Sequence, residues 1–321
     1  MEVLLHQIDA FADAPFSGNP AAVMPLPSWL PDALLQHLAE ENNLAETAFY
    51  TPELPAEGGP PPGGGPAQHQ RGGTPRGEVG MLGAPPQGTA GALHTQIKPP
   101  AYPPARAPPP GDWPAFHLRW FTPRVEVDMC GHATLASAAQ ILTDIQPGAD
   151  RVSFYTRSGW LHVDRTDDDE YVLDLPVVPS IETDPDPVLV AALGVRPVRA
   201  YTGADAVIVV GSEQEVRSLR PALDRFPPLP RGAIVTARGE DVDVVSRFFG
   251  PGVGVPEDPV TGSAHAQLVP LWSRELGRTT MTARQLSRRG GLLRCELVGD
   301  RVLLIGRCRR YLDGVVTLPD D

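Results

Sequence analysis

Two glycine turns, Cys130-Gly131-His132-Ala133-Thr134 and Thr261-Gly262-Ser263-Ala264-His265, each run directly into an apolar helical stretch, one in each half of the chain. Each turn leaves backbone N–H groups unpaired at the positive end of a helix, which suits a carboxylate or an enolate oxygen. Two such ends facing one another would close a pocket around one small anionic molecule.

The surrounding pattern has more strands than helices. Apolar runs predict strands over 3–9, 21–24, 46–50, 117–121, 152–155, 160–163 and 171–175, then over 206–210, 233–236, 242–249, 292–297 and 302–305. Pro31 opens a helix with Leu34, Leu35, Leu38 and Ala39 at helical spacing, closed by Asn42-Asn43. Further helices are expected over 135–145, near 188–193, near 213–219 and after the second glycine turn. Strict strand–helix alternation is missing, which disfavours a parallel βαβ sheet. The reading is an α+β fold of two similar domains, each a mostly antiparallel sheet curled around a central helix. With 321 residues, 41% of them hydrophobic, each domain could bury its own core. The boundary is placed at 180/181, in a linker running from Pro176 to Pro187, with the last residues free to cross back to the first domain. Between about 55 and 114 the composition turns to runs such as Pro60-Pro61-Pro62 and Gly63-Gly64-Gly65. Such a segment cannot bury enough apolar surface to offset its ordering entropy, and is read as an insertion between two strands of one domain.

Composition removes several function classes. A formal net charge of -12 without any basic stripe argues against nucleic acid and anionic membranes as partners. Lys98 is the single lysine and sits in the Pro/Gly-rich segment, so no buried amine is available for Schiff-base chemistry. No P-loop and no dinucleotide fingerprint occurs, and the eight histidines show no metal-ligand spacing. Neither an organic cofactor nor a dedicated metal site is expected. Cys130, Cys295 and Cys308 form no Cys-x-x-Cys pair and no disulfide framework, which fits a reducing, cytoplasmic setting. The N-terminus lacks the basic residues of a signal peptide, and no apolar run approaches a membrane span.

Single residues then carry the chemistry. Glu46 stands between a helix end and the apolar strand Thr47-Ala48-Phe49-Tyr50; there it could be a partly desolvated acid–base group or an ordinary edge glutamate. His132 lies in a turn, where it could donate at a helix terminus or relay a proton. Asp258 and Ser263 flank the second turn, where either could simply cap a helix.

Several strings in order extend these signals. Phe16-Ser17-Gly18-Asn19-Pro20-Ala21-Ala22-Val23, Glu41-Asn42-Asn43-Leu44-Ala45-Glu46-Thr47-Ala48-Phe49, Asp128-Met129-Cys130-Gly131-His132-Ala133-Thr134 and Pro256-Glu257-Asp258-Pro259-Val260-Thr261-Gly262-Ser263-Ala264-His265 together resemble the PhzF-like family of phenazine-biosynthesis isomerases. The resemblance spans both halves except the insertion. It implies a diaminopimelate-epimerase-like fold, a pocket between the domains, no cofactor and a homodimer. It also implies that Glu46 shuttles a proton between two carbons of the substrate, that His132 and Asp258 orient it, and that Ser263 with the Gly131 and Gly262 backbones binds its carboxylate. Two other readings compete with a cofactor-independent isomerase. A two-thiol racemase or epimerase would need a cysteine where Val260 stands opposite Cys130, and a non-catalytic scaffold would use the Pro-rich insertion for partners.

Overall fold

The computed structural model describes residues 1–55, 109, 111 and 113–318. The expected insertion, with Lys98, thus lies outside the described residues apart from its two ends.

The first half runs β1 (Glu2–Ala10), β2 (Asn19–Pro25), α1 (Asp32–Asn42), β3 (Glu46–Thr51), β4 (Ala115–Phe121), β5 (Glu126–Val127), α2 (Gly131–Gln140), β6 (Arg151–Thr156), β7 (Gly159–Arg165), β8 (Tyr171–Pro176) and β9 (Ile181–Thr183). The second half runs α3 (Pro187–Leu193), β10 (Arg199–Thr202), β11 (Ala206–Val209), α4 (Glu213–Ser218), β12 (Ala233–Arg238), β13 (Val244–Gly250), β14 (Val255–Asp258), α5 (Gly262–Leu276), β15 (Thr280–Gln285), β16 (Gly291–Val298), β17 (Arg301–Gly306) and β18 (Cys308–Thr317).

Pairing repeats strand for strand. The series β1-β2-β3-β4-β6-β7-β8 follows antiparallel, parallel, antiparallel, parallel, antiparallel and antiparallel contacts. The series β10-β11-β12-β13-β15-β16-β17 follows the same order. Each parallel pair is bridged by a helix, as a parallel connection requires: α1 and α2 in one half, α4 and α5 in the other. The halves join where β8 pairs with β17, and each lends its last strand to the other, β9 to β10 and β18 to β1. The fold is therefore α+β, two similar domains of mostly antiparallel sheet curled around a central helix.

Side-chain size explains why the curl closes. All ten residues of α2, GHATLASAAQ, are buried, and most are small, so the sheet wraps closely around the helix on every side. The principal core surrounds α2 with Ile8, Val23, Leu118, Phe154 and Leu173, and surrounds α5 with Ile234, Met281, Leu293 and Leu304. Two outer clusters cover the opposite sheet faces, Leu35, Leu38, Phe49 and Phe121 beneath α1, and Leu189, Leu193, Val216 and Phe249 beneath α3 and α4. Strands covered on both faces lose the polar alternation of a half-exposed strand, as in the buried run Ala21-Ala22-Val23-Met24 of β2.

α5 continues through Pro270, which cannot donate to the carbonyl of Ala266. That carbonyl accepts instead from the N–H of Val178 at 3.1 Å, just past β8, so the freed acceptor ties the central helix of one half to the connection leaving the other.

Several elements differ from the sequence reading, and β5, β10, β14 and β15 were not expected as strands. The helix expected over 135–145 is α-helical over 131–140 and widens into a π-type turn over Ile141–Ile145, closed by Gln146 N–H to Ile141 O at 2.7 Å. The segment 176–187 holds the short strand β9, whose exposed Ile-Glu-Thr carries no apolar pattern. The strand β18 was not expected at all: seven of its ten residues are exposed and none is buried, and it is held by its register with β1.

Candidate active site

The two glycine turns meet head to head. A Cβ on Gly131 would stand 3.0 Å from the Cα of Gly262, and a Cβ on Gly262 would stand 3.0 Å from the Cα of Gly131. Only glycine permits this backbone approach. The first turns of α2 and α5 are thereby in contact, and the positive ends of both helices face one another. Cys130 and Thr261 occupy the N-cap positions with extended backbone, and neither caps its helix with its side chain.

Four elements deliver side chains to this junction. Asn19 opens β2, and Glu46 opens the adjacent parallel strand β3, level with Ala21. His132 sits in the first turn of α2, and Asp258 ends β14 just before α5. The fully buried amide of Asn19 links the halves. Its Nδ2 donates to Asp258 Oδ1 at 2.7 Å and to Val260 O at 2.9 Å, and it lies 3.0 Å from His132 Nδ1. Two oxygen acceptors fix the orientation of this amide, whose nitrogen cannot accept a proton from His132 Nδ1, so the ring proton is placed on Nε2. His132 Nε2 lies 3.4 Å from Glu46 Oε2, and neither atom has a protein hydrogen-bond partner among the described residues. Asp258 also accepts from the Thr261 hydroxyl, and Gln285 clamps the turn, donating to Asp258 O at 2.7 Å and accepting from Thr261 N–H at 2.9 Å.

Burial sorts the protonation states. The Glu46 side chain is only 15% exposed. Desolvation, reinforced by the negative Asp258, pushes its pKa up to about 8 against the opposing pull of Arg231 and the Cys130 hydrogen bond. Burial also raises Asp258, to about 6, with the Thr261 and Asn19 hydrogen bonds and Arg231 holding it down. Burial drives His132 down to about 3, so its imidazole is neutral near pH 7. At that pH Asp258 is mainly carboxylate and Glu46 mainly carboxylic acid, with ionisation of Glu46 within easy reach.

Glu46, Cys130 and His132 each place one possible metal-ligand atom within 4.8 Å of the others. The set is poorly prepared for a cation. His132 Nδ1 is occupied by the Asn19 amide, its Nε2 carries the proton, and burial with the Glu46 charge holds the Cys130 thiol well above its usual range. Val260, where a second thiol would be needed, is a fully buried isopropyl group.

The structure thus brings Glu46, His132, Asp258, Gly131, Gly262 and Ser263 to the helix junction. Sequence reasoning did not single out Asn19, Thr261, Gln285, Arg231 or Asp205. Asn19 had a signal, an amide inside a Gly-Asn-Pro turn that feeds an apolar strand, and Thr261 stands within the second glycine turn; Gln285, Arg231 and Asp205 lie far apart in the chain and look like ordinary surface residues.

Two sheet-wrapped helices meeting end to end define the diaminopimelate-epimerase-like fold of two-domain proteins. Within that class the chain belongs to the phenazine biosynthesis-like protein family: the PhzC-PhzF family model matches residues 8–99 and 107–308. An uncharacterized isomerase of Pseudomonas aeruginosa is 40% identical over 320 residues, covering 99% of this chain and all of that protein. The crystal structure of a PhzF-family phenazine biosynthesis protein from Enterococcus faecalis aligns with TM-score 0.76 and 34% identity over 99% of this chain and 100% of that one. A hydroxyproline epimerase from Agrobacterium vitis, 12% identical, shares the fold with TM-score 0.53 over 99% of this chain and 93% of its own. Among the described residues no helix is long and apolar enough to cross a membrane.

Proposed function

We propose that this protein is an isomerase that moves a proton within a small carboxylate-bearing substrate by general acid–base catalysis, without a cofactor, in the cleft between its two domains. The observation that carries this reading is the pair of buried carboxyl groups, Glu46 and Asp258, whose surroundings set their proton affinities apart around neutrality. A group whose pKa lies near the working pH is the most effective proton carrier, since both of its forms are populated.

Glu46 is the proton carrier. Its carboxylate takes a proton from one carbon, and the resulting acid returns it to another carbon on the same face. Charge that builds on the substrate's carboxyl or carbonyl oxygen is met by first-turn N–H groups of α2 and α5, which have no partners within their helices. His132, neutral, offers its Nε2 proton to Glu46 or to the substrate. Asp258, held by Asn19 and Thr261, fixes the His132 tautomer through the shared Asn19 amide and keeps the pKa of Glu46 high. Ser263 and the Gly131 and Gly262 backbones hold the substrate carboxylate. The family's isomerase-named relatives support this class of reaction, and a homodimer in the cytoplasm with a domain boundary near 180 accompanies the proposal.

The test is substrate-dependent hydrogen exchange in D₂O with candidate unsaturated carboxylates, comparing wild type with Glu46→Gln. Exchange should fall by about 10²–10⁴-fold, the range typical of a lost general acid–base group, while ligand binding survives. Near-normal exchange in the variant overturns the assignment of Glu46.

A further inference from the structure

A closed ring of polar side chains stands on one face of α5, beside the proposed carboxylate site. Ser263 and Gln267 are four residues apart and so project from the same side of the helix. The fully buried Gln267 amide grips the backbone of residue 205 at two points, accepting from Asp205 N–H at 3.1 Å and donating to Asp205 O at 2.9 Å. The Asp205 side chain, with no exposure, accepts from Arg231 Nε at 3.1 Å and from Arg231 Nη2. Arg231 Nη2 then donates to Ser263 Oγ at 3.1 Å and returns the ring to α5. Arg231 remains 24% exposed, at the outer side of a serine that is 7% exposed. Arg231 also lowers the pKa of Glu46 and Asp258 through its charge, and its hydrogen bonds to Asp205 and Ser263 fix where that guanidinium stands.

The ring has a chemical consequence at Ser263. A hydroxyl has one hydrogen to donate and two lone pairs to accept with. The guanidinium can only donate, so it occupies a lone pair of Oγ and repels the hydroxyl hydrogen toward the opposite side. Ser263 is left as a donor to whatever lies beyond it, next to the first-turn N–H groups of α5. We infer that Arg231, locked by Asp205 and Gln267, is a positioning residue that presets Ser263 as a donor and so makes the site select a carboxylate over a carboxamide of the same shape. A carboxamide would turn at least one N–H toward this array of donors, where it finds no acceptor. The inference rests on the proposed function only for where the substrate's carboxylate sits.

The probes are two matched pairs, benzoate with benzamide and cyclohex-1-ene-1-carboxylate with its amide, and the readout is equilibrium affinity by titration NMR. Wild type should prefer the carboxylate about tenfold or more, the worth of one unpaired buried polar group. Arg231→Met should bring that preference at least severalfold closer to parity, and Ser263→Ala should do the same. Because Arg231→Met strands the buried Asp205 carboxylate, the neutral double variant Arg231→Met/Asp205→Asn is measured beside it, and Arg231→Lys should recover part of the preference. A merely structural role would weaken both members of each pair alike and leave their ratio unchanged. The inference is overturned if wild type shows no carboxylate preference in either pair, or if folded Arg231 variants retain it in full. Loss of exchange in Glu46→Gln together with an unchanged ratio in the Arg231 variants would sink this inference and spare the proton-transfer reading; the reverse pattern would do the opposite.

Discussion

Replacing Glu46 by Gln should stabilise the protein, and by an amount that grows with pH. In the unfolded chain a glutamate ionises near 4.5, whereas burial beside Asp258 raises Glu46 in the fold to about 8. Between those values the native state holds a proton that the unfolded state has released, so stability falls as pH rises. The contribution is full below 4.5 and levels out above 8. At 1.36 kcal/mol per pKa unit, roughly 5 kcal/mol of stability is lost by pH 9, with about 1 kcal/mol of that already gone at pH 5. Gln has nearly the same shape and never ionises, so the variant escapes this loss. The stability difference between variant and wild type should therefore move in the variant's favour by about 4 kcal/mol from pH 5 to pH 9. For a chain of this size that is on the order of 8 °C in thermal midpoint. Asp258, raised to about 6, makes both proteins lose stability over part of the same range, which is why the difference between them is the quantity to follow. Urea unfolding of both proteins at pH 5, 7 and 9 measures it. A difference that stays constant within about 1 kcal/mol, on the scale of one pKa unit, would refute the claim that Glu46 is held protonated by its surroundings.

Two further outcomes follow from the helix junction. Gly262→Ala places a Cβ 3.0 Å from the Cα of Gly131, where backbone cannot yield as a side chain would, so the first turns of α2 and α5 must separate. Overpacking of this kind costs about 1–3 kcal/mol, and a thermal midpoint equal to wild type would contradict the head-to-head contact. Cys130→Ala removes a hydrogen bond that holds Glu46 down and leaves the carboxyl in place. Turnover should drop less than about tenfold, far below the loss typical of a missing acid–base group, while the pH profile moves to higher pH. A hundredfold loss in kcat would show that the thiol carries the proton.

The local signals in the chain were those whose chemistry is complete within a few residues. A glycine turn leading into an apolar stretch marks a helix N-terminus wherever it occurs, and two of them in opposite halves were enough to expect two sheet-wrapped helices. Gly131, His132, Gly262 and Ser263 could be picked out for that reason, and Glu46 and Asp258 through the strings around them. Other features depend on partners far away along the chain. The charged strand β18 shows no apolar alternation, and its structure comes from pairing with β1 at the other end of the sequence. Asn19 joins His132 to Asp258 only because β2 and α5 come from different halves and meet at the glycine junction. Arg231 and Asp205 acquire a role at Ser263 only once the segments leading into β12 and β11 are brought against α5. Tertiary structure also decided the state of Glu46, which as an isolated sequence position had an ordinary reading: the same carboxyl is an acid or a base near neutrality according to how much water the fold leaves around it and which charge it faces.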